Sequence, residues 1–434
     1  MSPLFFPTTD RSTAPSSSPT ANDTKKTLPP LVPGSVEAKV LHRVWKGGEC
    51  TIVDSPPGAG KSTLVAGLVS RLRREAGLRV LVATPTRNQA LSCARMVSRL
   101  IGPEEIYISM KDVRAEDLPE GYKPSGARHA ATPSPSNAVY FATLKKVQYI
   151  DSSLTFDVIV IDEAYQATWA MALAALHSSD QVVMVGDPGQ IGPVVTVDVS
   201  VFDGLKAAPH VPAPLASSYF TDVERISLET TYRLGADTAR LIAPVYRFPF
   251  SSGRPATHVV DSLGHVAPEI ASVDTGHSDH VDNRDVLHAL VERAVSFIGG
   301  TFHRDGAERE LTASDIAIVV SRNSQVSIVT GIALSLGHDI VVGTADRLQG
   351  GEWPVVMALD PMFGVSDDDS ADHHQSIGRL CVMLSRHQAH VTWFHDDSWK
   401  SFCRSRDRRS TVNRKVRESL LGVQPADDGD IFAA

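Results

Sequence analysis

Residues 50–68 read CTIVDSPPGAGKSTLVAGL. A short β-branched run, Thr51 to Val53, gives way to a loop of Ser, Pro, Gly and Ala, and then to apolar residues at helical spacing. Strand, small-residue loop and helix form the context in which the pattern G-x-x-x-x-G-K-[ST] signifies a phosphate-binding loop. Gly58, Ala59 and Gly60 would let backbone N–H groups close around phosphates, Lys61 would reach the β- and γ-phosphates, and Ser62, with Thr63 beside it, would offer a hydroxyl to Mg²⁺. The stretch departs from the pattern at one position, since Ser55 stands where the first Gly is expected.

Outward from this loop the same alternation recurs. The runs CTIVD, RVLVAT, AVYFAT, DVIVID and QVVMVG, and later DIAIVVS, HDIVVGTA, PVVMAL and HVTWF, are continuously apolar, with helix-like segments such as KSTLVAGLVSRLRREAG and NQALSCARMVSRLIG between them. Such runs suit a parallel sheet covered on both faces, which predicts a doubly wound α/β fold. The runs fall into two groups separated by polar, Pro- and His-containing sequence. Two domains are therefore expected, 35–230 and 231–400, meeting near ISLETTYRLG. Residues 1–34, rich in Ser, Thr and Pro, bury too little surface to offset the entropy of ordering and are expected to form a flexible tail. Residues 401–434 form a second tail, basic and then acidic, whose basic window suits either a solvated helix or a nucleic-acid contact.

Bulk properties narrow the class. With 434 residues, 42% of them hydrophobic, the chain is long enough for two or three cores. A net charge of -8 argues against nonspecific adhesion to nucleic acid as the main activity, although a local basic groove is compatible with it. Cys50, Cys93, Cys381 and Cys403 stand singly, which points to a reducing compartment and not to a disulfide framework. Neither a signal sequence nor an apolar stretch of ~20 residues is present, so a cytoplasmic protein without a membrane partner is expected.

The most apolar run, VIVID at 158–162, ends on Asp162 and Glu163. A carboxylate at the C-terminal end of a parallel strand projects into the crevice where open α/β sheets bind ligands, so Asp162 could hold Mg²⁺ and Glu163 could orient or deprotonate a water. Capping of the next helix is the other reading, and after a phosphate loop the catalytic one gains. Gln190, after a second buried strand, could sense a γ-phosphate, while Asp187, Pro188 and Gly189 suit an ordinary turn. Arg233, Arg379 and Arg386 are guanidiniums that could meet a transferring phosphoryl group or sit in surface ion pairs. Tyr165 and Trp169 could stack on a base, but a core role is the better reading of large aromatics. The histidines of DTGHSDHVDN and ADHHQ, loosely spaced among acids, fit solvated loops better than metal ligation.

The ordered set PPGAGKST, VLVATPTRNQAL, VYFATLKK, VIVIDEA, GDPGQ, TYRLG, IAIVVSRNSQ, GTADRLQGGEWPVV and RLCVMLSRH resembles the motif series of superfamily 1 helicases. The likeness is to the branch that includes the nonsense-mediated-decay RNA helicase and its DNA and viral relatives. It implies two RecA-like domains of the P-loop NTPase type, ATP and Mg²⁺ as cofactors, and single-stranded nucleic acid as partner. It also implies roles: Lys61, Ser62 and Thr63 at the Walker A positions, Asp162 and Glu163 as the Walker B pair, Gln190 as a γ-phosphate sensor, Arg233 and Arg386 as arginine fingers, and Glu352 on the nucleotide sugar. Strand contacts would come from Pro85, Thr86, Thr143, Thr344 and Asp346. No glutamine precedes the phosphate loop where the family reads adenine, and the spacing between motifs leaves room only for small accessory domains. The other reading is an NTP-driven switch that acts on a protein partner without tracking a strand.

Overall fold

The computed structural model describes residues 28–123, 138–150, 154–365 and 374–422. Seven strands form a first, all-parallel sheet: β1 (Cys50–Asp54), β2 (Val80–Thr84), β3 (Ile106–Ile108), β4 (Val139–Thr143), β5 (Val158–Asp162), β6 (Val182–Gly186) and β7 (Val223–Ser227), in the order β3-β4-β2-β5-β6-β1-β7. Because side chains alternate across a strand, Val158 and Val160 enter one core with the helices α1 (Val36–Trp45), α2 (Lys61–Arg74) and α3 (Arg87–Ile101). Ile159 and Ile161 enter another, with Trp169 and Met184. Each such fully buried Val or Ile contributes about 1.5–3 kcal/mol over an exposed one, and this is why the strands read as unbroken apolar runs.

The chain then makes a short pair, β8 (Thr230–Thr231) with β9 (Ser251–Ser252), and the strand β10 (Thr257–Val260). The next strands are β11 (Ile270–Asp274), β12 (Thr301–Arg304), β13 (Ala307–Glu310), β14 (Ile316–Val320), β15 (Val341–Thr344), β16 (Trp353–Leu359) and β17 (His387–His395). Five of them form a second parallel sheet in the order β11-β17-β16-β14-β15, while β10, β12 and β13 form a small antiparallel one. The doubly wound α/β class is as expected.

Two tail expectations meet exceptions. Leu28 packs on the first core and the carbonyl of Pro29 accepts a hydrogen bond from Arg71, so ordered packing begins before residue 35; residues 1–27 lie outside the described residues. In the basic C-terminal window, Arg408–Leu420 is a helix whose Val412 and Val416 join the second sheet's core. Its Arg417 is buried against Asp360, with Nη2 to Oδ1 2.6 Å and Nε to Oδ2 2.7 Å, so this cation serves packing. Residues 423–434 lie outside the described residues. Among the described residues no helix is long and apolar enough to cross a membrane.

The strand order decides what meets. The sequence β5-β6-β1 sets Asp162 opposite Val185 and Asp54 opposite Gly186, so three adjacent strands deliver Asp162, Asp187 and the phosphate loop to one edge. In the second sheet Trp353 pairs with His387, so the residues just before them, Glu352 and Arg386, arrive side by side.

Candidate active site

The loop at 55–62 is anchored before it turns. Ser55, buried, receives the strand end by donating from both its N–H (2.9 Å) and its hydroxyl (3.1 Å) to the carbonyl of Gly186. This second bond is what Ser at this position supplies in place of Gly. Gly58 and Gly60 have φ of 71° and 80°, in the left-handed region that favours glycine. At Gly58 a Cβ would also lie 2.3 Å from Cβ of Arg233, and its carbonyl accepts from the N–H of Tyr232 at 2.9 Å. The segment that carries Arg233 thus rests directly on the loop, and the hydroxyl of Thr231 adds a 2.6 Å bond to the carbonyl of Pro57.

Lys61 opens α2 and places Nζ 2.6 Å from Oε1 of Glu163. Burial opposes the ammonium charge, but Glu163, Asp162 and Asp187 outweigh it and hold Lys61 above the usual lysine range. Glu163 itself has φ 55° and ψ 40°, a left-handed conformation that a residue with a side chain adopts at a cost of about 1–3 kcal/mol. The neighbouring N–H contact to Asp162 Oδ1 (2.9 Å) helps to hold it. Asp162 is buried, and that burial, with Glu163 next to it, pushes its carboxyl up to about 6.

In the sequence, Asp187 suits an ordinary turn. Its Oδ1 does accept from Gly189 N–H (2.8 Å), as such a turn requires, and also from the Tyr246 hydroxyl (3.0 Å). Its Oδ2, however, is buried with no hydrogen-bond partner among the described residues, and Asp187 lines the cleft. Burial pushes this carboxyl up to about 6 against the pull of Lys61. The signal was present: a carboxylate follows directly on the last residue of β6, one place later than the carboxylate that ends β5. Ser62, Thr63 and Asp187 line the cleft and are hard oxygen donors of the kind that Mg²⁺ accepts alongside phosphate and water, whereas Asp162 is buried and is not among the lining residues.

The opposite wall comes from the second half. A cavity of about 580 Å³ is lined by residues 56–63, Glu163, Asp187 and Gln190, and by Tyr232, Arg233, Arg304, Gly350, Glu352 and Arg386. Arg233 Nε lies 2.5 Å from Glu352 Oε2, and Gln388 donates to the other oxygen at 3.0 Å. Burial would raise the Glu352 carboxyl, but Arg233 and Gln388 hold it below the usual range. Arg386, fully buried, donates to the carbonyls of Val382 (3.2 Å) and Gly351 (3.4 Å) and to the Ser385 hydroxyl (3.1 Å). Burial, with Arg233 nearby, lowers it to about 10, still protonated at neutral pH. Arg304, on β12, was not singled out from sequence; it lines the same cavity, and its side chain hydrogen-bonds to none of the described residues.

The five candidate strand contacts stand outside the cavity lining. Thr84 pairs with Thr143 across β2 and β4, so Pro85, Thr86 and Thr143 leave neighbouring strand ends. Thr86 caps α3 in a reciprocal arrangement with Gln89, and Thr143 caps the helix Leu144–Val147. Thr344 ends β15, and Asp346 forms a two-pronged pair with Arg379, whose Nη2 is 3.0 Å from Oδ2. Arg379 is not among the residues that line the cavity. Tyr165 and Trp169 are buried, as the core reading expects, with Tyr165 donating to Asp54 at 2.7 Å.

A family model described as an AAA domain matches residues 135–197. The DNA replication ATP-dependent helicase/nuclease DNA2 of Mus musculus is 23% identical over 372 residues, covering 77% of this chain and 35% of the relative. The RecBCD enzyme subunit RecD of Mycolicibacterium smegmatis is 26% identical over 37% of this chain and 28% of its own length. The RNA helicase Mov10l1 of Homo sapiens is 27% identical over 37% of this chain and 15% of its own. The chain spans about a third or less of the length of these relatives. Among solved structures, the arterivirus nonstructural protein 10 (helicase) with DNA covers 86% of this chain and 65% of that one at 15% identity, with a TM-score of 0.47.

Proposed function

We propose that this chain, a P-loop motor of the superfamily 1 helicase type, hydrolyses ATP with Mg²⁺ in the cleft between its two sheets and uses the cycle to move along a single strand of nucleic acid. The observation that carries the proposal is the cleft's mixed lining: Lys61, Glu163 and Asp187 from the first half face Arg233, Glu352 and Arg386 from the second. A site built from both halves functions only while they are together, which ties hydrolysis to their approach.

The roles follow from the contacts. Gly58, Ala59 and Gly60 present N–H groups to the phosphates. Lys61 exchanges its 2.6 Å bond to Glu163 for the β- and γ-phosphates, and this frees Oε1 of Glu163 to accept a hydrogen bond from the attacking water. Ser62 and Asp162, with Asp187, would hold Mg²⁺, which would neutralise charge on the phosphate oxygens. Arg233 and Arg386 stabilise the charge that spreads over the transferring phosphoryl group, and Gln190 reads the γ-phosphate. Glu352 turns to the sugar once Arg233 leaves it. Pro85, Thr86, Thr143, Thr344 and Asp346 form the strand surface, with contacts mainly to phosphate and sugar and hence low sequence specificity.

Relatives named for work on DNA and on RNA both occur, so the test uses both polymers. Steady-state ATP hydrolysis is measured at low salt with and without single-stranded DNA and RNA, beside Lys61→Ala. Stimulation by one polymer that disappears with Lys61→Ala is the expected result. Hydrolysis that ignores both polymers overturns strand tracking and turns attention to an NTP-driven switch with a protein partner.

A further inference from the structure

Four half-buried glutamines link the candidate strand surface to the candidate catalytic carboxylate and on to the second half. The hydroxyl (2.8 Å) and N–H (3.0 Å) of Thr86 both donate to Oε1 of Gln89. Gln89 Nε2 donates to Oε1 of Gln166 at 3.0 Å. Gln166 Nε2 in turn is shared between Oε2 of Glu163 (3.1 Å) and Oε1 of Gln190 (3.3 Å). Gln190 Oε1 also accepts from Nε2 of Gln349, in the loop after β15, at 3.0 Å.

The chemistry of the links is directional. A primary amide carries a donor and an acceptor on one rigid plane, so a change in what its oxygen accepts turns the N–H that it donates; a carboxylate, an acceptor only, cannot pass such a change on. In a partly buried setting, linked hydrogen bonds also polarise one another. We infer that these amides form a relay in which strand contact at Thr86 sets the orientation of Glu163 through Gln89 and Gln166, while Gln349 brings the second half into the same network. The inference rests on the proposed strand-tracking reading and adds to it the device of coupling. A strand phosphate or sugar that engages the Thr86 hydroxyl withdraws one of the two donors on Gln89. The Gln89 carboxamide turns, Gln166 follows, and the bond to Glu163 Oε2 shifts toward or away from Gln190. Gln89 and Gln166 are positioning residues: neither touches the reacting atoms.

Gln89→Glu isolates the relay from the fold. Glutamate at this third helical position still accepts from Thr86 and so keeps the reciprocal cap of α3, but it has no N–H to give Gln166. Gln89→Met removes the same donor without adding charge. In the full chain, at saturating strand, both variants should keep strand-free ATP hydrolysis within about 2-fold of wild type, keep affinity for a labelled oligonucleotide of the stimulating polymer, and lose about 5-fold or more of the strand stimulation. Stimulation at the wild-type level in either variant overturns the relay, because the two share only the missing donor. A wild-type chain that no strand stimulates overturns the relay and the strand-tracking reading together, whereas a stimulated wild type with stimulated variants overturns the relay alone.

Discussion

The two walls of the cleft hold their charges in opposite ways. On the first sheet, carboxylates are left short of partners: Asp187 Oδ2 is buried and unbonded among the described residues, and burial pushes Asp162 and Asp187 up to about 6. In the second half, the guanidiniums are engaged: Arg233 with Glu352, Arg386 with two carbonyls and a hydroxyl, Arg379 with Asp346, and only Arg304 faces the cleft without a bonded partner among the described residues. On the proposed function, the first wall offers a cation and phosphates unsatisfied groups, whereas the second would exchange internal partners for the ligand. Such an exchange makes the second wall the natural gate.

The largest test of this asymmetry is Arg386→Ala. Its partners are carbonyls and a hydroxyl, so no carboxylate is left unpaired, yet strand-stimulated turnover should fall by about 10³-fold or more, read by steady-state ATPase assay. On the first wall, Glu163→Gln should lower turnover by about 10²–10⁴-fold while nucleotide binding is retained or tightened, because Lys61 no longer has a carboxylate to leave. Binding of a fluorescent nucleotide beside single-turnover hydrolysis separates the two effects.

Arg417→Met contrasts a committed pair with an exchangeable one. It strands Asp360 as a buried, unpaired carboxylate and should cost about 3–5 kcal/mol in denaturant unfolding, with turnover well below the melting range little changed. Glu352→Gln, at a pair that is partly exposed, should cost less than about 1 kcal/mol and instead shift the apparent nucleotide affinity.

A pH series addresses the first wall alone. Both aspartates have carboxyls raised above the ordinary range, so each is ionised above about pH 6 and becomes neutral as pH falls through it. At subsaturating Mg²⁺, turnover that needs them charged should therefore drop below pH 6, by about tenfold per unit or more steeply where both must be ionised, because the metal must first displace their protons. Asp187→Asn, at whatever rate remains, should remove one proton from that profile.

What the sequence revealed follows the same physics. Strands buried on both faces, such as VIVID and VVMVG, announce themselves because their first four positions are all apolar, and the phosphate loop does so because its function depends on neighbours in sequence. The polar strand VERIS at β7 and the exposed AERE at β13 carry no such signature, since a sheet edge or a solvated face places little demand on side chains. One usable signal lay in Asp305-Gly306, both at positive φ, the turn that joins β12 to β13 and so brings Arg304 to the cleft. The pairing of Asp187 with Tyr246, or of Gln166 with Gln89, joins residues 59 and 77 positions apart, and no local pattern encodes it.

Gly58 closes the comparison of the walls at a single atom. Its bare Cα is the point at which the two halves are gauged against each other: any side chain there would lift the backbone of Arg233 before it crowded a phosphate. A mutational scan should therefore read position 58 as a spacer between machine parts, sensitive to the thickness of one methyl group.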